Sequence, residues 1–267
     1  MLKSKKIYYI IILQLLVLFS SCSSYKKLLK SSNNELKYEK AMEYYEKEQY
    51  AKAQELFSDL RIVFKGSSEK GENVMYYYAQ CSYYLSEYEI ASYLFKDFAK
   101  QYPASKKAEE ALFLSAYCHY LRSPQASLDQ TSTKEALDEF QLFLDRSPNS
   151  NRRQEAETLV DNLQKKLETK AYNNAYLYFT IGDYKAATIA LQNVLLKYPD
   201  TKYREDILFT IIKAYYMYAE NSIHSKQLER YKSTIQAYYN FIDNYPNSKK
   251  IKEAEKYYTN SQKFIDK

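Results

Sequence analysis

Few side chains in this sequence are placed for covalent or metal chemistry. The two histidines, His119 and His224, stand more than a hundred residues apart, and neither has Cys, His or Asp at the spacing that presents metal ligands together. Each reads as a packed or surface ring. Glycine occurs only at 66, 71 and 182, so no glycine-rich loop can wrap a phosphate, and no nucleophile motif is present. The paired carboxylates Glu109 and Glu110 open a predicted helix, where negative charge suits the N-terminal end of the macrodipole. A structural role suffices for them. The residues thus predict no catalytic group, no metal and no cofactor. One side chain stands apart: Cys22, which follows Ser20, Ser21 and an apolar run. A thiol in that setting is an acceptor for an acyl group.

The elements around Cys22 fit that chemistry. Lys3, Lys5 and Lys6 precede a run from Ile7 to Phe19 that is interrupted only by Tyr8, Tyr9 and Gln14. The run is too short, and too soon followed by polar residues, for a comfortable membrane-spanning helix, and it reads as an export signal. Small residues directly before a cysteine resemble a lipobox, although Phe19 stands where leucine is commonest. They let an extended backbone enter a protease groove while the thiol carries lipid. The expected organisation is a signal peptide over 1–21, a lipidated Cys22 with a flexible Ser-, Lys- and Asn-rich tether over 22–34, and a folded domain over 35–267. Acyl chains on Cys22 suffice as an anchor without a second membrane segment. An acidic stretch after such a cysteine resembles a surface-export tag. Ser23 to Lys30 has none, which favours a periplasm-facing protein on the outer membrane.

Composition narrows the folded part. The chain has 267 residues, with 3 glycines, 5 prolines, 32 tyrosines and no tryptophan, and 46% of it is hydrophobic. So few turn formers over such a length predict helices joined by short connections. The formal charge of +6 falls to about +3 once the three leader lysines are gone, and Lys and Glu alternate along the helices rather than gathering on one face. No nucleic-acid partner is expected.

A repeat organises the helices. Prolines at 103, 148, 199 and 246, spaced by 45, 51 and 47 residues, end four similar segments. Eight residues before each stands a bulky side chain (Phe95, Phe140, Leu191, Tyr238), and twelve before stands a small one (Ala91, Ala136, Ala187, Thr234). An earlier copy has Ala53 and Phe57, with Gly66 near the proline position. Steps of four return to one helix face, so the small residue admits a neighbouring helix and the bulky one fills the gap beside it. Proline then stops the helix. Residues 151–181 are expected to form one extended helix, and 249–266 a terminal cap. Cys81 and Cys118 occupy equivalent positions of adjacent repeats, about a helix diameter apart, which is too far for a disulfide.

This pattern resembles the tetratricopeptide repeat, a helix-turn-helix unit whose second helix carries a small residue, an aromatic four on, and a proline eight beyond. The resemblance implies an all-α solenoid of about five units with a C-terminal capping helix. It also implies a concave groove lined by the first helix of each unit. Carried onto this sequence, the groove positions are Tyr38, Met42 and Tyr45, then Tyr76, Tyr83 and Tyr84, then Phe113, Tyr117 and Tyr120. Tyrosine offers an apolar body and a hydrogen-bonding tip, as a peptide-binding surface needs. Packing between helices would use the same residues, and helical periodicity does not separate the two.

The lipoprotein signal, the repeats, and the Tyr-Pro-x-Ser/Thr endings such as Tyr102 with Ser105 and Tyr245 with Ser248 together resemble the BamD family, outer-membrane assembly lipoproteins of the barrel-assembly machinery. That resemblance implies a non-enzymatic scaffold whose N-terminal units receive the aromatic-ending signal of an unfolded barrel protein. Its C-terminal units would dock the periplasmic domains of the barrel-assembly outer-membrane subunit. The alternative is a tetratricopeptide cell-envelope scaffold that organises peptidoglycan enzymes or a secretion or motility complex. A glycan-binding lipoprotein fits poorly with a chain that lacks tryptophan, the best sugar platform.

Overall fold

The computed structural model describes residues 24–64, 66 and 68–266, so the predicted signal peptide over 1–21 and Cys22 lie outside the described residues. Every regular element among the described residues is helical. The main helices are α1 (Asn34–Glu46), α2 (Tyr50–Val63), α3 (Glu69–Tyr84), α4 (Tyr88–Gln101), α5 (Ala108–Arg122), α6 (Thr131–Arg146), α7 (Arg153–Thr180), α8 (Tyr184–Lys197), α9 (Arg204–Glu220), α10 (His224–Asn244) and α11 (Ile251–Ile265). Taken in pairs from α1/α2 to α9/α10 they make five hairpins, and α11 caps the last, as the repeat predicts. The extended helix expected over 151–181 is α7.

The chain divides into two compact units. One holds the residues up to 123 together with 131–160, and the other holds 124–130 and 161–267. Within each, the repeat positions form the core. Ala53, Ala91, Ala136, Ala187 and Thr234 have no exposed surface, nor do Phe57, Phe95, Phe140 and Leu191; Tyr238 keeps 7%. Burying each of those large side chains is worth roughly 1.5–3 kcal/mol. The second helix of each hairpin is therefore fixed by the small and bulky pair that the sequence shows.

The prolines act as expected. Helices α4, α6, α8 and α10 stop two residues before Pro103, Pro148, Pro199 and Pro246. Each proline then sits in a turn closed by a bond from the Ser or Thr N–H back to the carbonyl of the residue before the proline: Ser105 to Tyr102 at 3.0 Å, Ser150 to Ser147 at 3.1 Å, Thr201 to Tyr198 at 3.2 Å and Ser248 to Tyr245 at 3.1 Å. The turn inside three hairpins uses a left-handed residue instead, at Glu48 (φ 57°), Ser86 (φ 62°) and Gly182 (φ 84°). Only the third is glycine, so the first two carry backbone strain. Gly71 is needed for another reason. A Cβ there would lie 2.7 Å from the Phe64 carbonyl oxygen, where the α2–α3 connection crosses the start of α3.

One expectation is corrected. Residues 24–29, assigned to a flexible tether, are helical and packed. Tyr25, Leu28 and Leu29 recur at helical spacing and lie against the core of α1–α3. The Tyr25 ring meets Tyr44 edge-on at 5.6 Å, and its hydroxyl donates to Glu55 at 2.7 Å, with the Lys52 carbonyl oxygen 3.1 Å away. Three apolar positions among serines and lysines are enough to dock one and a half turns. Cys81 and Cys118 are free, buried thiols, and burial pushes both up to about 12.

Candidate functional site

The first helices of the hairpins carry a recurring polar arrangement that orients the predicted groove residues. Near the start of α3, Glu72 accepts from the Ser105 hydroxyl at 2.7 Å. Equivalent bonds run from Ser150 to Glu109 at 2.6 Å, from Thr201 to Glu168, and from Ser248 to Glu205 at 2.5 Å. Each of these hydroxyls also accepts the backbone N–H two residues on, at 3.0–3.1 Å, which fixes the turn after the proline. Two positions past the hydroxyl, a cation reaches the residue next to that acid. Lys107 bonds Asn73 at 2.6 Å, Arg152 bonds Glu110 at 2.7 Å, and Lys250 pairs with Asp206.

The same cations cover an aromatic ring one helical turn further along. Lys107 lies 5.6 Å from the Tyr76 centroid, Arg152 3.5 Å from Phe113, and Lys250 5.6 Å from Phe209. In the fourth copy Tyr203 replaces the cation and stacks on Tyr172 at 4.2 Å with 5° between planes. The earliest copy keeps the cation, with Lys70 paired to Glu35 and 5.7 Å from Tyr38. An acid, a hydroxyl, a cation and a ring thus clasp α3 to α5, α5 to α7 and α9 to α11, while among the described residues the earliest copy has no hydroxyl-to-acid bond and the fourth no cation. The sequence reading placed Glu109 and Glu110 by the macrodipole alone. The further signal was an acid or amide four residues before each aromatic, as with Asn34 and Tyr38, Glu72 and Tyr76, or Glu109 and Phe113.

The clasps hold Tyr38 and Tyr76, and contacts among rings hold the other tyrosines. Tyr45 lies 5.6 Å from Tyr50, 4.7 Å from Tyr77 and 6.3 Å from Tyr84, while Tyr50 and Tyr84 stack at 4.4 Å. Tyr83 joins Tyr84 at 5.4 Å and Tyr88 at 5.9 Å. Tyr76 meets Tyr77, Phe95 and Phe98 edge-on, and its hydroxyl accepts from Gln80 at 2.8 Å. Tyr38 accepts from Asn73 at 3.1 Å and packs on Phe64. Tyr117 lies between Phe113 and Tyr120, stacked on both. Burial pushes Tyr76 up to about 12 and raises Tyr45 and Tyr83 as well. These phenols stay protonated and can donate.

The structure sorts the predicted groove residues. Tyr84 is 48% exposed, whereas Tyr38, Met42, Tyr45, Tyr76, Tyr83, Tyr117 and Tyr120 are half-buried, with part of each side chain packed. Phe113 is a correction. It has no exposed surface, being enclosed by Arg152, Phe140 and Phe143, so it is core and not groove. Tyr50 and Tyr77, absent from the predicted set, belong to the same ring cluster. His119 is a packed ring, 3.1 Å from Glu135, and burial lowers its pKa. Among the described residues no group of three His, Cys, Asp or Glu side chains could hold a metal, and no helix is long and apolar enough to cross a membrane. The second unit has a cleft of about 410 Å³ between α8, α9 and α10, where Gln192, Tyr215, Gln236 and Asn240 surround an apolar floor of Leu195, Leu208 and Ile211.

Within each unit, helical hairpins clasped to one another, with aromatic side chains along their first helices, define an all-helical repeat protein. A family model described as an outer membrane lipoprotein, YfiO, matches residues 30–231, and the chain belongs to this family. It is 25% identical over 231 residues to the putative outer membrane protein assembly factor BamD of Aquifex aeolicus (strain VF5), covering 86% of this chain and 73% of that protein. It is also 25% identical over 118 residues to the outer membrane protein assembly factor BamD of Caulobacter vibrioides, covering 44% of this chain and 39% of that one. Among solved structures it is similar to the P58(IPK) TPR domain (TM-score 0.42, 14% identity, 90% of this chain and 68% of that one). It is similar too to the TPR2AB domain of yeast Sti1 in complex with pHSP90 (TM-score 0.38, 15% identity, 86% and 99%).

Proposed function

We propose that this chain is a non-enzymatic scaffold of β-barrel assembly, held by lipid on Cys22 to the outer membrane and facing the periplasm. Membership of the outer membrane lipoprotein family across residues 30–231 carries this reading, and relatives named as outer membrane assembly factors support it. In the first unit, the ring cluster around Tyr45, Tyr76, Tyr83 and Tyr84 receives an extended segment of an unfolded barrel protein. Apolar client residues lie on tyrosine faces, and client carbonyls accept from protonated phenols. Tyr38, Tyr117 and Tyr120 extend the surface to either side. The later hairpins dock the periplasmic domains of the barrel subunit, and the amide-rimmed cleft of the second unit offers them a recess. Binding then guides delivery, and no chemical step is needed.

Photo-crosslinkers at Tyr83 and Tyr84 are expected to capture nascent barrel proteins in cells. No adduct at either position, with robust adducts at Tyr93, which is 70% exposed on α4, would sink the client surface. Affinity purification from solubilised membranes tests the docking. Recovery of the barrel subunit supports it, and recovery of cell-wall hydrolases in its place points to the alternative cell-envelope scaffold.

A further inference from the structure

The helical segment at 24–29 has two faces. Tyr25, Leu28 and Leu29 turn inward onto α1–α3, which leaves Lys26, Lys27 and Lys30 exposed and, among the described residues, without an ion-pair partner. Two neighbouring acids are already engaged. Glu43 is bridged by Lys40 and Lys47, both at 2.6 Å, whose hydrogen bonds hold its carboxyl down at about 2. Glu55 accepts from Tyr25. Three ammonium groups are therefore exposed together on one short helical segment. Beside them is a recess of about 460 Å³ between this segment and α1, lined by Lys27, by the Lys40–Glu43 ion pair, and by Leu28, Leu36 and Tyr44.

We infer that this face seats on the surface of the membrane, with Lys26, Lys27 and Lys30 on the phosphates of anionic phospholipids. The inference rests on Cys22 as the lipid anchor. Cys22 is two positions before Ser24, and an extended residue spans about 3.5 Å, so the lysines lie within reach of the headgroups of the leaflet that holds the acyl chains. Acyl chains hold a protein to a bilayer without choosing which side faces it. A docked basic helix makes that choice, because Tyr25 and the two leucines fix the lysines relative to the first hairpin. Each lysine near an anionic surface multiplies partition about five-fold, and three together roughly 100-fold at low salt.

The test uses the processed chain from residue 22 with Cys22→Ser, so that no acyl group contributes. Co-sedimentation at low salt compares vesicles of phosphatidylglycerol with vesicles of phosphatidylcholine. The expected result is a strong preference for phosphatidylglycerol that falls roughly 100-fold in K26Q/K27Q/K30Q and largely survives in K249Q/K252Q/K256Q, which removes equal charge from exposed positions on and beside α11. Equal partition onto both vesicles, or equal losses in the two triple variants, overturns the inference. Circular dichroism confirms that each variant is folded. The anchor is checked separately by the mass of the N-terminal peptide from membrane-extracted protein. An unmodified Cys22 would defeat the lipid-anchor reading without touching the vesicle result.

Discussion

Replacing Arg152 should reveal how much one clasp contributes. Its guanidinium sits 3.5 Å from the Phe113 centroid, bonds Glu110 at 2.7 Å, and engages both oxygens of Glu155 at 3.0 and 3.2 Å. The side chain is 31% exposed, so its ion pairs are partly screened and worth about 0.5 kcal/mol each. The cation over a buried ring adds about 1 kcal/mol, and the stem covering Phe113 adds about 0.5–1 kcal/mol of lost packing. Arg152→Ala should therefore cost the first unit about 2–3 kcal/mol, a fall in melting temperature of about 5–10 °C. Arg152→Lys keeps the charge but loses the planar fork, and should lose about half as much. The comparison is Arg153→Ala, which removes an exposed pair with Glu157 at 2.9 Å and should cost under about 0.5 kcal/mol. The chain has no tryptophan, so far-UV circular dichroism is the suitable probe of heat and urea unfolding. Equal losses in R152A and R153A would refute the clasp as a stabilising unit.

Phe113→Ala, which empties a fully buried position, should destabilise by about 3–5 kcal/mol in urea unfolding, whereas Tyr84→Ala should cost under about 1 kcal/mol. Ser86→Gly relieves a left-handed residue (φ 62°) and should raise stability by about 0.5–1 kcal/mol, seen as a higher urea midpoint. Burial raises Tyr76 from 10.0 to about 12, so the folded state retains a proton that the unfolded state gives up; stability is fully present below pH 10 and falls as pH rises through 12. Titration by circular dichroism should show that loss, and Tyr76→Phe should lessen it. Cys81 and Cys118, buried and raised to about 12, should resist iodoacetamide at pH 8 until denaturant is added, with mass spectrometry counting the adducts.

What was legible in the sequence was local. A proline and a four-residue step lie within one helix, and they located α4, α6, α8 and α10 together with the residues at their centres. The docking of residues 24–29 was harder to see, since three apolar positions are too few for a period to stand out from neighbouring serines and lysines. The clasps were hidden for another reason. Ser105 shows itself beside Pro103, but its partner Glu72 lies 33 residues away and the counterpart of Ser150 lies 41 away, so no fixed offset joins them. Phe113 was misplaced because α5 is covered by α4 on one side and α6 on the other. Its groove position by count is sealed by Phe140, Phe143 and Arg152.

The variable offset between clasp partners has a consequence for how such a chain can change length. Each clasp compares only one hairpin with the next, and its halves are built from nearly interchangeable parts. A loop can lengthen, as between α5 and α6, without disturbing any clasp bond. Removing a whole hairpin would bring Ser150 and Arg152 to Glu72, Asn73 and Tyr76, which already hold a serine and a cation of the same kind. The joint could then reseal in a chain one repeat shorter. Equivalent joints of this kind would let repeats be gained or lost as whole hairpins.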